Sequence, residues 1–240
     1  MPHSALTRRL HGLVLTAALL LTTPANAAGT YDELVGLFHE WQAFERPALR
    51  DGAPDYTAPT LARKHAELRA YQSRLAGLFA IVSALGAALD PAAWPKEQRI
   101  DYELVRAQMN GLDFDLRVLQ PWARDPAYYQ SVWTEMSDTP EHEGPAHHGL
   151  VELWTYAFPL SRSDEQKLAR ELRVVPPLLA QARDNLTGNA RDLWLTGIGT
   201  MQGQVDSLDD LAGRTRSSGA DLRRSIADAR KATVEFVAWL

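Results

Sequence analysis

The chain has 240 residues, with 25 Lys and Arg against 30 Asp and Glu, a formal net charge of −5 and no cysteine. The acidic balance leaves no basic field for nucleic acid or anionic lipid. The missing thiols exclude a disulfide scaffold, a zinc–cysteine site, a cysteine nucleophile and a lipid-modified N-terminal cysteine.

Residues 1–27 read as a secretory signal. Arg8 and Arg9 give the positive start, Leu13–Leu21 the short apolar core, and Ala25-Asn26-Ala27 an A-x-A site behind Pro24. Cleavage after Ala27 takes 27 of the 240 residues and leaves 213, with 23 basic residues against 30 acidic and a net charge of −7. A chain of about 210 residues can hold itself together by core burial alone. No later apolar run approaches the roughly 20 residues that span a bilayer, so no membrane contact is expected after cleavage. The expectation is a periplasmic or secreted protein whose mature part, residues 28–240, is one helical domain.

The mature region reads as helices divided by Pro and Gly. Leu34, Phe38, Trp41 and Phe44 fall on one face of a helix over Tyr31–Arg46, which Pro47 stops. Asp51–Asp55 (DGAPD) is a turn. Leu61, Leu68, Leu75, Leu78, Val82, Leu85 and Leu89 mark a long second helix ending at Asp90-Pro91. A third runs from about Pro95 to Leu119 on Ile100, Leu104, Val105, Met109, Leu112 and Leu116, and Pro121 closes it.

Residues 121–149 hold no sustained period and read as a long loop with short helical pieces, the kind of segment that carries function or is covered by a partner. Beyond Leu150, Ser163 with Gln166 predicts a capping box, and Pro176-Pro177 kinks or restarts that helix. Asn189 is expected to cap a helix through about Ala212, with Leu193, Ile198, Met201, Val205 and Leu208 inward. Ser218 with Asp221 is expected to cap the last. Without a useful alternating pattern, the fold class is all-α: an irregular bundle of about six to seven helices with one long aromatic-rich loop region.

Chemistry-bearing residues concentrate in that loop. His142-Glu143-Gly144-Pro145-Ala146-His147-His148 is near the zinc-hydrolase motif H-E-x-x-H, whose ligands at i and i+4 share a helix face. His142 and His147 are the candidate metal ligands. Their i+5 spacing turns them about 140° apart on a regular helix, and Pro145 removes a helical hydrogen bond between them. Trp122, Tyr128, Tyr129, Trp133, Trp154 and Tyr156 are candidate groove aromatics for peptide or glycan, or else core beneath the loop. Asp113 and Asp115 are two apart on a helix and point about 200° from each other, which argues against an acid/base dyad and leaves Arg117 as a partner for one of them. No serine-nucleophile or nucleotide-binding signature occurs. Gly197-x-Gly199 reads as a close-packing point, and Asn185-Leu186-Thr187 fits a glycosylation sequon.

Three stretches carry a family resemblance. They are Asp101–Asp115 (DYELVRAQMNGLDFD), Pro121–Tyr129 (PWARDPAYY), and Gly149–Tyr156 (GLVELWTY) running on to Gly188–Trp194 (GNARDLW). Together they resemble the bacterial domain of unknown function 885 family, exported and mostly helical relatives of zincin-like metallopeptidases, over about Tyr31 to Leu240. The family's H-E-x-x-P-G-H-H motif belongs to a C-terminal half that has no counterpart in these 240 residues. The resemblance therefore transfers no metal or catalytic role to His142, Glu143, His147 or His148, and leaves the catalytic residues unassigned.

The resemblance implies the N-terminal portion of a zinc-dependent peptidase or hydrolase, truncated and inactive alone, with no cofactor in this chain and zinc in a full-length relative. Its partner would be the missing half or an equivalent helical partner, and a peptide its substrate. The apolar last residues Val234, Phe236, Val237, Trp239 and Leu240 suit either a docked helix or such a continuation. The alternatives are a non-catalytic peptide- or glycan-binding scaffold and a self-contained metalloenzyme using His142 and His147.

Overall fold

The structure is a computed structural model that describes residues 31–80, 94–135 and 151–240. The signal segment, Val82, Leu85 and Leu89 of the second helix, and His142–His148 lie outside the described residues.

The fold is all-α. Helix α1 (Tyr31–Glu45) buries Leu34, Leu37 and Trp41, with Phe38 and Phe44 half-buried beside them. After Pro47, two-residue strands β1 (Leu49–Arg50) and β2 (Ala53–Pro54) form an antiparallel hairpin. Its loop residues Asp51 and Gly52 both take positive φ, 54° and 81°. A two-residue loop whose twist matches its strands requires that geometry, and Asp-Gly is among the pairs that tolerate it. Asp55 then opens helix α2 (Ala58–Ala80) by accepting hydrogen bonds from the Thr57 amide at 3.0 Å and the Thr60 hydroxyl at 2.8 Å.

Helix α3 (Lys96–Phe114) continues through a π-helical turn at Asp115–Leu119. Gln120 turns left-handed at φ 46° and hands the chain to the short helix α4 (Pro121–Arg124). A 3-10 turn at Pro126–Tyr129 and strand β3 (Val132–Trp133) follow. Strand β4 (Val151–Glu152) lies parallel to β3, pairing Val132 with Val151 and Trp133 with Glu152. Helices α5 (Arg162–Leu172), α6 (Val175–Asn185), α7 (Arg191–Arg214) and α8 (Ala220–Trp239) complete the chain. Helices α1, α2 and α3 pack on one another, and α8 packs on α5, α6 and α7. Strand β2 lies against α6, so the two groups share one core.

Three expected caps are displaced. Helix α5 starts two residues early: Ser161 is its cap and accepts from the Asp164 amide at 3.1 Å, while Ser163 only meets the Ser161 hydroxyl. Helix α7 follows Ala190, not Asn189, and has no side-chain cap. Helix α8 follows Gly219, whose amide donates to Glu165 of α5 at 3.0 Å. Asp221 turns away to take both of its oxygens to Arg173, at 2.8 and 2.7 Å. In each case local order points to the nearest capping-type side chain, and tertiary geometry or a better-placed neighbour takes its place. Pro176-Pro177 does restart a helix, at the first turn of α6 where proline costs no hydrogen bond.

The apolar end of α8 is docked: Phe236 is fully buried and Val237 half-buried, while Val234 and Trp239 stay exposed. Gly197 is the close-packing point expected of it. A Cβ there would sit 2.8 Å from Pro126 Cβ and 3.0 Å from the Ala127 amide nitrogen, whereas one at Gly199 meets nothing within 4 Å. Gly197→Val is expected to destabilise the protein by about 1–3 kcal/mol through overpacking. Gly199→Ala is expected to gain up to about 1 kcal/mol from helix propensity. Urea midpoints of the two variants check the pair, and equal shifts would remove the packing argument.

Candidate functional site

One buried side chain anchors the chain at Ser131 and Val132, within the region singled out by sequence. Gln204, on the inner face of α7, is 1% exposed. Its carbonyl oxygen accepts from the amides of Ser131 at 2.7 Å and Val132 at 3.0 Å, and its amide nitrogen donates to the Thr233 hydroxyl of α8 at 3.1 Å. The Ser131 carbonyl in turn accepts from the Val151 amide at 2.7 Å. The residues flanking 136–150 on either side are thereby brought to one place. Met201, Val205 and Leu208 mark this face of α7 in the sequence; the glutamine among them gave no sign of its partners.

The candidate aromatics line the interior here. Tyr129 is fully buried, Tyr128 and Tyr156 nearly so, and Trp122, Trp133 and Trp154 are half-buried. Tyr56, Tyr128 and Tyr129 stack edge to face with centroids 5.0–6.3 Å apart. The Tyr129 hydroxyl donates to the Trp122 carbonyl at 2.7 Å and accepts from Asn185 at 3.0 Å. Burial pushes all three of these phenols above their ordinary range, so they are neutral hydrogen-bonding groups. The same Asn185 amide donates to the Tyr56 carbonyl at 3.0 Å, so the sequon nitrogen is engaged inside the fold. Tyr156 stands apart, its hydroxyl donating to Glu171 at 2.6 Å.

Among the described residues, two of the surface cavities lie elsewhere. One, about 310 Å³, opens between α1 and α3 beside Tyr31, Val35, Phe38, Asp101 and Leu104; the Tyr31 hydroxyl donates to Asp101 at 2.7 Å on its wall. The other, about 440 Å³, lies at the start of α7 beside Leu186, Arg191, Trp194, Leu195, Ile198 and Leu240. The six candidate aromatics are not among the residues lining either.

The acidic pair separates as its spacing requires. Asp113 accepts from His65 Nε2 of α2 at 3.0 Å and from Arg117 at 3.2 Å. Burial alone would raise its carboxyl, yet those two donors hold it below the usual range. Asp115 is half-buried, and burial pushes its carboxyl up. Arg117 was readable as a partner four residues on; His65, 48 positions away, was not. Among the described residues no group of three or more His, Asp and Glu could hold a metal ion. His142 and His147 lie outside them. Among the described residues, no helix is long and apolar enough to cross a membrane.

No protein-family model matches the sequence, and no curated protein matches it. Among solved structures, a "putative lipoprotein of unknown function" from Shewanella oneidensis is similar, with a TM-score of 0.57 and 17% identity. The match covers 88% of this chain and 37% of that one. At that identity the likeness is one of fold, and this chain spans little more than a third of the length of the protein it matches.

The two carboxylates give opposite pH signatures. A carboxyl whose folded pKa is lowered contributes stability above its unfolded value, near 3.9, and loses it as pH falls through the folded value. Asp113→Asn is therefore expected to cost about 1 kcal/mol at pH 7, with the gap from wild type closing in acid. Asp115 runs the other way, because its ionised form is the disfavoured one. Asp115→Asn is expected to stabilise the fold at pH 7 and to match wild type below about pH 4. Urea unfolding between pH 3 and 7 reads both, and parallel curves for either variant would contradict its assignment.

Proposed function

We propose that this chain is an exported, helical N-terminal portion of a zinc-dependent peptidase or hydrolase of the domain of unknown function 885 kind, catalytically silent by itself. Three stretches support the family reading: Asp101–Asp115, Pro121–Tyr129, and Gly149–Tyr156 with Gly188–Trp194. The observation that supports its being a portion of something longer is the extent of the structural match, which lays 88% of this chain on 37% of a longer one. The fold thus recurs as part of a larger polypeptide, which suits a portion whose metal centre lies elsewhere.

In this reading the metal belongs to the other half and the helical portion forms one wall of a peptide cleft. A face suited to meeting that half lies where α7 begins and α8 ends. Leu195 is exposed on the wall of the larger cavity with Leu193 near it in sequence, and Trp194, also on that wall, packs its ring on the exposed Trp239 with centroids 5.9 Å apart. An apolar area of this kind beside a cleft is what a stable partner covers. The 151–156 turn and the 126–129 turn supply rigid core beneath the surface, so their aromatics would support the wall from within.

Two measurements test the reading. DNA sequence beyond codon 240 is expected to encode H-E-x-x-P-G-H-H or its remnant, and unrelated sequence there would sink the truncation. The purified chain is expected to hold no stoichiometric zinc by metal analysis and to cleave no peptide, with His142→Ala and His147→Ala unchanged in both respects. A zinc-dependent peptidase activity that disappears in His142→Ala would instead establish a self-contained metalloenzyme.

A further inference from the structure

Helix α3 carries two apolar stripes on opposite sides. Val105, Met109 and, in its π turn, Leu116 face the core. Ile100, Leu104, Phe114, Val118 and Leu119 stand 42–58% exposed. A helix packed on one side needs one stripe only. Ile100, Leu104, Ala107, Gly111, Phe114 and Val118 follow one another in steps of four and three, the spacing at which one helix lies along another. Ala107 and Gly111 are themselves exposed, and a Cβ on Gly111 would meet nothing within 4 Å. The stripe is therefore bulky at both ends and hollow in the middle.

That profile is symmetric about Met109. Ala107 and Gly111 lie two residues either side of it, Leu104 and Phe114 five, and Ile100 and Val118 nine. A surface with this symmetry is its own complement under a two-fold axis. We propose that it is the face through which two copies of this chain associate, their α3 helices antiparallel and crossing at Ala107 and Gly111. The small residues let the two backbones approach at the crossing. Leu104 of each copy then meets Phe114 of the other, and Ile100 meets Val118, where the axes diverge and larger side chains bridge the gap.

The flanking charges limit the affinity. On one flank Glu103, already ion-paired with Arg106, comes beside Arg117 of the second copy, which is already on Asp113. The attraction there is shared with pairs each chain makes alone. On the other flank Asp101 comes near Asp115 of the second copy, a repulsive pair, so electrostatics contribute little net. Covering the exposed side chains removes on the order of 1,000 Å² in all, the low end for a specific interface and the range of reversible association. This inference is independent of the peptidase reading, which concerns the α7–α8 face.

Sedimentation velocity on the purified chain is expected to show a reversible dimer with a Kd of about 10 μM. Leu104→Asp is expected to weaken it about a hundredfold, because both copies carry the change. Leu195→Asp on α7 is expected to leave it unchanged. Circular dichroism confirms that each variant folds.

The absence of native cysteine allows a register test with Ala107→Cys and Gly111→Cys, both at open positions. Under mild oxidation the mixture of the two is expected to form a disulfide dimer faster than either alone. A monomer at about 0.5 mM would overturn the proposal and leave another helix as the occupant of the stripe. Faster cross-linking of each variant with itself would overturn the antiparallel register. A dimer abolished by Leu195→Asp and indifferent to Leu104→Asp would overturn the choice of face.

Discussion

Non-helical backbone that passes through a protein interior must find a partner for its N–H and C=O groups, because water is not there to supply one. Three amide side chains meet that demand here, and the arrangement of the helices follows from where they stand. Gln181 of α6 accepts from the Tyr56 amide at 3.1 Å and donates to the Pro54 carbonyl at 3.0 Å. Asn185, one turn on, takes the Tyr56 carbonyl. Gln204 of α7 holds Ser131 and Val132. An amide carries a donor and an acceptor on one planar group, so it can mimic a strand edge. With these, the strap at 53–57 and the run at 121–133 can be buried between helices that would otherwise close on each other.

The first strap decides the join between the two helical groups. Strand β2 and Tyr56 lie against α6, while the hairpin that carries them leads directly into α2. Loss of either amide would orphan buried backbone groups, at about 1–3 kcal/mol for each group left unpaired. The second run supports the aromatic floor. Gly197 allows Pro126 to press onto α7, and that contact fixes the turn from which Tyr128 and Tyr129 enter the core.

The helices were legible because the 3.6-residue period is a local signal. Trp41, Met109, Met201 and Leu208 all sit in the core where their spacing places them. Pro47, Pro121 and Pro176 mark boundaries for the equally local reason that proline cannot donate. The amide partners, the His65–Asp113 contact and the pairing of β3 with β4 join residues distant in sequence, and two-residue strands are too short to show alternation. The aromatics illustrate the difference: their concentration was visible, but which of them stack beneath a turn depends on Gly197 and Gln204, far along the chain. The outer stripe of α3 was mixed with its inner one in the sequence. Ile100 and Leu104 read as core by period, and only the position of α1 and α2 shows that they face outward.

Helix α8 has no cap of its own. Glu165, 54 residues earlier, receives the Gly219 amide, and hydrogen bonds from the Ser218 hydroxyl and that amide hold its carboxyl below the usual range. A cap supplied from another helix ties the start of α8 to its contact with α5. The closing helix gains that hydrogen bond, worth about 1 kcal/mol, only on meeting α5, so docking strengthens its first turn. A fragment ending before α8 would leave Glu165 and the faces of α5, α6 and α7 waiting, so the two pieces are natural candidates for reassembly by fragment complementation.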